Sequence, residues 1–410
     1  MNMPKSKYNF IQDPLYKNSL FIMLTSVSSA GFGSIFWILA AKLYPAEDVG
    51  IATALISSMG LMVLLSRLGL DFSMVRFFPQ SDKGRIFGTS AIITTAIAVL
   101  LGALFITGVN IFSPELQLLR WPPYALLFII FIAANSLTAM SCTSFVAVRK
   151  AGFKFIQSLI VGSRIFFLIL LMALGALGIF GAVGVSLILA LVSAIFLLAR
   201  SGIRPQLVID RGFLNDAFHF SAGNYFAGLF IAAPTMILPI MVLNILGAEQ
   251  AAYYFIAYAI AALLFMIPNA VGMSMFVEGS HGEVMGKIVK RSLLAVLLLL
   301  VPAAVLLYML GGWLMGLVGP DYAAGGLGVL RMMIAASFFV ALNVMFFSIK
   351  RIQQDMGSLL LLSGLIFTLL VGSGYVFMHM FGVVGVGYAW MLSHGIGGVI
   401  VGVLLLKEKW

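Results

Sequence analysis

Apolar residues in this chain come in long unbroken runs, and clusters of charge separate one run from the next. A helix that crosses the hydrocarbon core of a bilayer needs roughly 20 mostly apolar residues. Twelve stretches reach that length: 19–41, 50–70, 86–108, 124–148, 155–175, 180–199, 217–246, 251–277, 292–318, 327–349, 357–378 and 382–406. Membrane β-strands are only about 10 residues long and alternate in polarity, so the pattern predicts helices. The first run is too long for the apolar part of a signal peptide and has no good small-residue cleavage site after it. It is expected to stay as the first spanning helix.

Composition supports the same picture. Hydrophobic residues make up 62% of the 410 positions and charged residues only 9%, against about 25% charged in a soluble domain. A soluble enzyme, a nucleic-acid-binding domain and a disordered scaffold are thereby excluded. Net charge is +10, and the cations are unevenly placed. The side predicted to hold both termini carries 19 of them, and the opposite side carries Lys42, Arg120 and Arg331. Arg67 and Arg164 fall within spans. The positive-inside rule puts both termini in the cytoplasm of a multi-pass protein of the cytoplasmic (inner) membrane. Connections between spans reach only about fifteen residues, so the chain is expected to act inside its bundle. The single cysteine, Cys142, excludes an internal disulfide and is read as a small packing residue.

Self-comparison reveals a repeat. Ala46-Glu47-Asp48 matches Ala248-Glu249-Gln250, and Gly84-Arg85-Ile86 matches Gly286-Lys287-Ile288, both at an offset of 202. Arg149-Lys150 matches Lys350-Arg351, and the run from Phe180 to Val185 matches that from Phe381 to Val386, both at 201. These matches predict an all-α protein of twelve transmembrane helices in two six-helix lobes, residues 1–205 and 206–410. Six spans are an even number, so the lobes enter alike and relate by a pseudo-twofold axis along the membrane normal. A site between them near the midplane follows.

The stretch from Phe36 to Ala52, with its Ala-Ala-Lys-Leu-Tyr-Pro-Ala-Glu-Asp-Val-Gly core, and that from Ser66 to Pro79, opening Ser-Arg-Leu-Gly-Leu-Asp, carry a resemblance. The chain resembles the polysaccharide (O-antigen type) flippases of the MOP superfamily. The likeness is in text over the first two spans and in plan over the rest. It implies movement of a polyisoprenyl-pyrophosphate-linked oligosaccharide from the cytoplasmic to the outer leaflet, for surface polysaccharide biosynthesis. It implies partners in the glycosyltransferases or polymerase of the same pathway, and alternating access as the mechanism.

Such a substrate has an anionic head and an apolar tail, so a flippase needs a cationic cavity in the lipid. Arginine suits diphosphate because its planar fork donates two hydrogen bonds. Arg164 lies ten residues past Lys154, about 15 Å along a helix and so near the middle of the core. An arginine there costs about 2.5–3.5 kcal/mol on the insertion scale, so it is the leading binding candidate. Gln157, seven residues earlier, is expected on the same helix face. Arg67, at the inner end of the second span, is spaced to pair with Asp71. Arg76 stands at the interface, and His219, Asn224 and Tyr225 open the seventh span. These complete the candidate set. Asn135, Asn244, Asn269 and Asn343 are read as interhelical bonding groups, and the pair Trp390 and His394 as core packing. Pro234 and Pro268 are expected to kink their helices.

No catalytic, metal or cofactor set is evident, and the glycine-rich runs lack the context of a phosphate loop. All 14 acidic residues fall in loops or at helix ends. The membrane potential, worth about 2.3 kcal/mol per charge per 100 mV, is therefore expected to drive the cycle. Two other readings compete. A multidrug or small-molecule exporter of the same superfamily would need a buried acidic group. A membrane polymerase or ligase would need a long outer loop.

Overall fold

The structure is a computed structural model and describes residues 14–280 and 284–407. The first half folds as α1 (Pro14–Leu43), α2 (Ala46–Ser66), short α3 (Leu70–Phe77), α4 (Lys83–Thr107), single-turn α5 (Val109–Phe112), α6 (Pro122–Ala147), α7 (Ala151–Gly162), α8 (Arg164–Leu170) and α9 (Ala176–Arg200). The second half runs α10 (Arg211–Leu246), α11 (Ala248–Ser280), α12 (Met285–Val318), α13 (Pro320–Ile352), α14 (Met356–Phe381) and α15 (Val384–Lys407). Twelve of the described segments are long and apolar enough to cross a membrane, with α7 and α8 together making the fifth. They form two six-helix lobes. Both described ends of the chain lie on one side of the bundle, here called the basic face. The opposite side is the far face.

Helix ends follow from local chemistry. Asp82, Asp210 and Asp355 each place a side-chain oxygen on backbone N–H groups that open α4, α10 and α14, as an N-cap should. Leu68 and Gly69 both take positive φ and break α2 from α3, where the sequence reading ran one span on to residue 70. The fifth span is also interrupted. Ser163 bonds back three residues to Ile160 and separates α7 from α8. Pro234 and Pro268 sit inside helices that continue through them.

The repeat is real, but two of its four textual matches are out of register. Ala46 and Ala248 both begin helices, and Gly84 and Gly286 both sit in the first turn of α4 and α12. Arg149, however, is the positive-φ residue after α6, and its structural counterpart after α13 is Gln354. Both turns close with the same wide bond, Lys150 N to Phe145 O and Asp355 N to Lys350 O. Likewise Phe180 lies inside α9, whereas Phe381 ends α14. The true counterparts are Gly175-x-x-Gly178 and Gly382-x-x-Gly385, which open the last span of each lobe with positive φ at the first glycine. The halves differ in loop length, so the offset drifts along the chain.

The lobes meet along α2, which packs against both α10 and α11. At the far face the approach is at backbone level, because a Cβ on Gly50 would overlap the carbonyl of Ala248. Asn244 of α10 donates to Phe112 O at 3.0 Å and accepts from Ser113 Oγ at 2.9 Å, the interhelical role expected of it. At the basic face, Ser73 of α3 donates to Ala217 O, and Tyr225 of α10 donates to Leu65 O at 2.8 Å.

The segment joining the lobes is bonded to α4 at alternate residues, Gln206, Val208 and Asp210. Gln206 N donates to Gly84 O at 3.1 Å, and its Nε2 donates to Asp82 Oδ2 at 2.8 Å. Thr89 Oγ1 donates to Val208 O and accepts from Asp210 N. Arg85 pairs with Asp210 at 3.2 Å. Gly84 and Gly88 let the carbonyls of Arg204 and Gln206 lie directly on α4.

Candidate functional site

A cavity of about 360 Å³ lies between the lobes. Its walls come from α1 (Trp37), α2 (Ile56, Ser57, Met59, Gly60), α6 (Asn135), α7 and α8 (Val161, Arg164) and α9 (Val183, Leu187). The second lobe adds Thr235 and Met236 from α10 and Phe255 and Tyr258 from α11. Most of the wall is apolar or aromatic. Trp37 and Phe255 meet edge to face across the lobe boundary, with ring centroids 4.4 Å apart. Tyr258 stands beside Thr235, so two hydroxyls of the second lobe face the first.

Arg164 is the cation of this cavity. It is the first residue of α8, immediately after the helix break at Ser163. Its Cζ lies 4.9 Å from the centroid of the Phe36 ring. A Cβ on Gly33 would stand 3.4 Å from Nη2, so that glycine leaves the guanidinium its room. Nε is sealed from solvent with no partner, and among the described residues no hydrogen bond or ion pair satisfies the group. A buried charge without a counter-charge is costly. An unpaired fork at a cavity wall is suited to an incoming anion.

Gln157 does not share that wall, which corrects the sequence reading. It is fully buried: Nε2 donates to Ser141 Oγ at 3.2 Å and to Ala190 O, and Oε1 accepts from Cys142 Sγ at 3.0 Å. Its amide therefore ties α7 to α6 and α9, and Cys142 is a bonding partner as well as a packing residue. A face common to residues 157 and 164 presumes an unbroken helix, and the helix breaks between them.

Arg67, Asn224 and Tyr225 gather elsewhere, at the α2–α10 seam toward the basic face. Arg67 caps α2, and its Nη1 reaches Asp71 Oδ2 at 3.8 Å across the α2–α3 break. Burial raises the Asp71 carboxyl above its ordinary value, against the pull of Arg67 and of the Phe72 N–H. Arg67 Nε has no partner. Asn224 is half-buried next to Tyr225. Arg76 is exposed and lies 4.1 Å over the Phe220 ring, joining α3 to α10. The side chain of His219 lies outside the described residues.

Among the described residues, no acidic side chain lines the cavity. Asp48, at the far face, accepts from Ala176 N at 3.0 Å and caps α9. No group of three or more potential metal ligands is present among the described residues. Sequence reasoning noted Asn135 but assigned it to interhelical hydrogen bonding, and it did not reach Ser57, Thr235 or Tyr258 or give Trp37 a role. A small polar or aromatic residue in an apolar run reads the same whether it faces a cavity or a neighbouring helix.

This geometry can be set beside known proteins. No family model and no curated protein sequence matches the chain. Solved structures do. The lipid II flippase MurJ in an inward closed conformation superposes with a TM-score of 0.76 at 14% identity, covering 95% of this chain and 88% of that one. An inward-facing multidrug resistance MATE family transporter of the MOP superfamily gives 0.69 at 13% identity, covering 95% and 100%. An outward-facing structure of such a transporter gives 0.64 at 13%, covering 99% and 100%. The chain shares the fold of these solved transporters. Within that fold, the Arg164 cavity lies between the two lobes.

Proposed function

We propose that the protein carries a polyisoprenyl-pyrophosphate-linked oligosaccharide from the cytoplasmic to the outer leaflet by alternating access of the Arg164 cavity. The observation that supports this most is the unpaired guanidinium at a lobe–lobe cavity whose described walls hold no acidic side chain. An anionic head supplies the missing counter-charge, while the aromatic side chains Trp37, Phe255 and Tyr258 offer faces for sugar rings. The cavity has room for about a dozen waters at roughly 30 Å³ each. A diphosphate fits in this arrangement, and the oligosaccharide requires the lobes to part. The similar flippase moves lipid II, which is consistent with a lipid-borne head group. In this reading the termini face the cytoplasm, residues 1–205 and 206–410 are the moving bodies, and enzymes of the same pathway supply and consume the cargo.

A second reading has its own support. About 360 Å³ with aromatic walls lies at the low end of the size range of small-molecule pockets, which suits an exporter of small amphiphiles. The unpaired arginine then favours anionic over cationic cargo.

One experiment separates them. Full-length protein in nanodiscs is titrated with a polyprenyl-pyrophosphate-linked sugar, with an organic cation and with a small anionic amphiphile. The flippase reading expects tight binding of the first alone, lost on Arg164→Ala while the melting profile is kept. Preferential binding of either small molecule, or unchanged lipid-sugar binding by the variant, overturns it.

A further inference from the structure

The middle of the second lobe holds another polar cluster, behind the cavity wall. His394 of α15 stacks on Trp390, with centroids 5.1 Å apart and planes at 17°. Trp390 stacks in turn on Phe265 of α11 at 5.3 Å and lies 6.0 Å from Tyr258, the cavity residue. From α13, Asn343 brings its Nδ2 to 3.2 Å from His394 Nδ1 and 3.1 Å from His394 O. The backbone carbonyl can only accept, so it fixes which end of the amide faces the histidine. Nδ1 must then accept as well, and in this arrangement it carries no proton.

The cluster is incompletely bonded. Asn343 Oδ1 is buried and has no partner. It points toward Gly397, where a Cβ would come within 2.9 Å of it. Trp390 Nε1 and Tyr254 OH are buried close to each other, behind the ring. Buried polar groups are ordinarily satisfied, so the orphan Oδ1, on the same amide that meets the imidazole, points to a second arrangement.

We infer that His394 is a proton-binding site, and that uptake of a proton at Nδ1 forces Asn343 to turn its amide. The proton comes from water and adds to the Nδ1 lone pair, and no other covalent bond forms or breaks. Once protonated, Nδ1–H would face the Asn343 N–H, donor against donor. Rotating the amide brings the orphan Oδ1 to accept from Nδ1–H and gives up the bond to His394 O. The imidazolium also changes its stacking on Trp390, and Trp390 reaches Tyr258 on the cavity wall. A proton taken up in the second lobe is thus felt at a cavity whose described walls contain no carboxylate.

The groups around the ring leave it without a counter-charge. Its own helix offers Trp390, α13 offers Asn343, and α11 offers the phenols of Tyr254 and Tyr258 beyond the indole. α14 brings Ile366 to Gly397, and its titratable pair, Tyr375 and His379, lies toward its far-face end. Lys350 of α13 lies two turns on, bonded to Gln353 and paired with Asp355. The charge on the imidazolium is therefore stabilised by rearrangement, which is what makes such a histidine a switch.

The test reads tryptophan emission of the full-length chain in nanodiscs as pH is lowered from about 8 to about 3, a range that reaches the protonation of a buried histidine. An imidazolium stacked on an indole quenches it, so the unmodified protein should show one reversible one-proton quench. His394→Gln and Trp390→Phe should each remove that transition. Asn343→Asp, which offers the imidazolium a carboxylate, should move its midpoint up by about one pH unit or more. A flat profile in the unmodified protein, an unchanged transition in His394→Gln, or no shift in Asn343→Asp overturns the inference. If His394→Gln does not fold, the other two variants decide.

Discussion

The guanidinium of Arg164 lies over the ring of Phe36, and Gly33, one turn away on the same helix, faces it with no side chain. Phe36 holds the cation from one side, a contact worth about 0.5–2 kcal/mol, and Gly33 leaves the fork free. Gly33→Ala places a methyl in ordinary contact and should preserve function. Gly33→Leu should fill the space meant for the anion and abolish substrate binding without lowering the melting temperature. Binding and melting measured on the two variants side by side check this, and equal binding by both would contradict it.

Gly50 controls closure at the far face. A methyl there would overlap the Ala248 carbonyl, and overpacking of this kind costs about 1–3 kcal/mol. Gly50→Ala should disfavour the described arrangement and populate one in which α2 and α11 stand apart. A cysteine cross-link between the first turns of α2 and α11, formed readily in the parent, should form at least several-fold more slowly in the variant.

Gln157 is a structural amide in this fold, so its replacement should separate stability from transport. Gln157→Leu removes the bonds to Ser141 and the Ala190 carbonyl, which keep partners within their own helices, and strands the Cys142 thiol. Leaving buried groups unmet costs about 1–3 kcal/mol. The variant should melt at lower temperature yet transport normally per folded molecule. Loss of substrate affinity with unchanged melting would return Gln157 to the binding site.

Asp82 gives the bundle an acid-sensitive joint. The Gln206 amide, with the backbone N–H groups of Arg85 and Gly84, holds its carboxyl below the ordinary carboxylate range. A carboxylate with a lowered folded value contributes its stability above the unfolded value, near 3.9, and loses it as pH falls through the folded value. The melting advantage of the parent over Asp82→Ala should therefore be constant from neutral pH down to about 5. Part of it should disappear below about pH 4. Asp82→Asn, which keeps a capping oxygen without the titrating charge, should show no such acid-dependent loss.

The spans were legible because lipid demands long apolar runs, and nothing subtler than length and charge was needed to find them. Arg164 was legible for the same reason, as a cation where cations are expensive. The break at Ser163 was not, since no proline announces it and the Gly162-Ser163 pair that marks it also occurs in unbroken membrane helices. The repeat was half legible. Ala46 and Gly84 align with their partners because they start helices, but unequal loops put Phe180 opposite the wrong residue. Thr235, Tyr258 and Trp37 gave no signal because only the crossing of helices decides which face of each is lined by space. His394 and Asn343, 51 positions apart, were each visible but not as a pair.

The bonded connector between the lobes limits where the chain tolerates foreign sequence. Between Gln206 and Asp210 the Gln206 and Asp210 amides and the Val208 carbonyl are bonded to α4, so a reporter spliced into that stretch would peel the base of α10 off its neighbour. Gly202, a few residues upstream, turns with positive φ and has open space around it. A fluorescent or affinity tag inserted there should leave the machine intact, offering a handle on the seam without severing it.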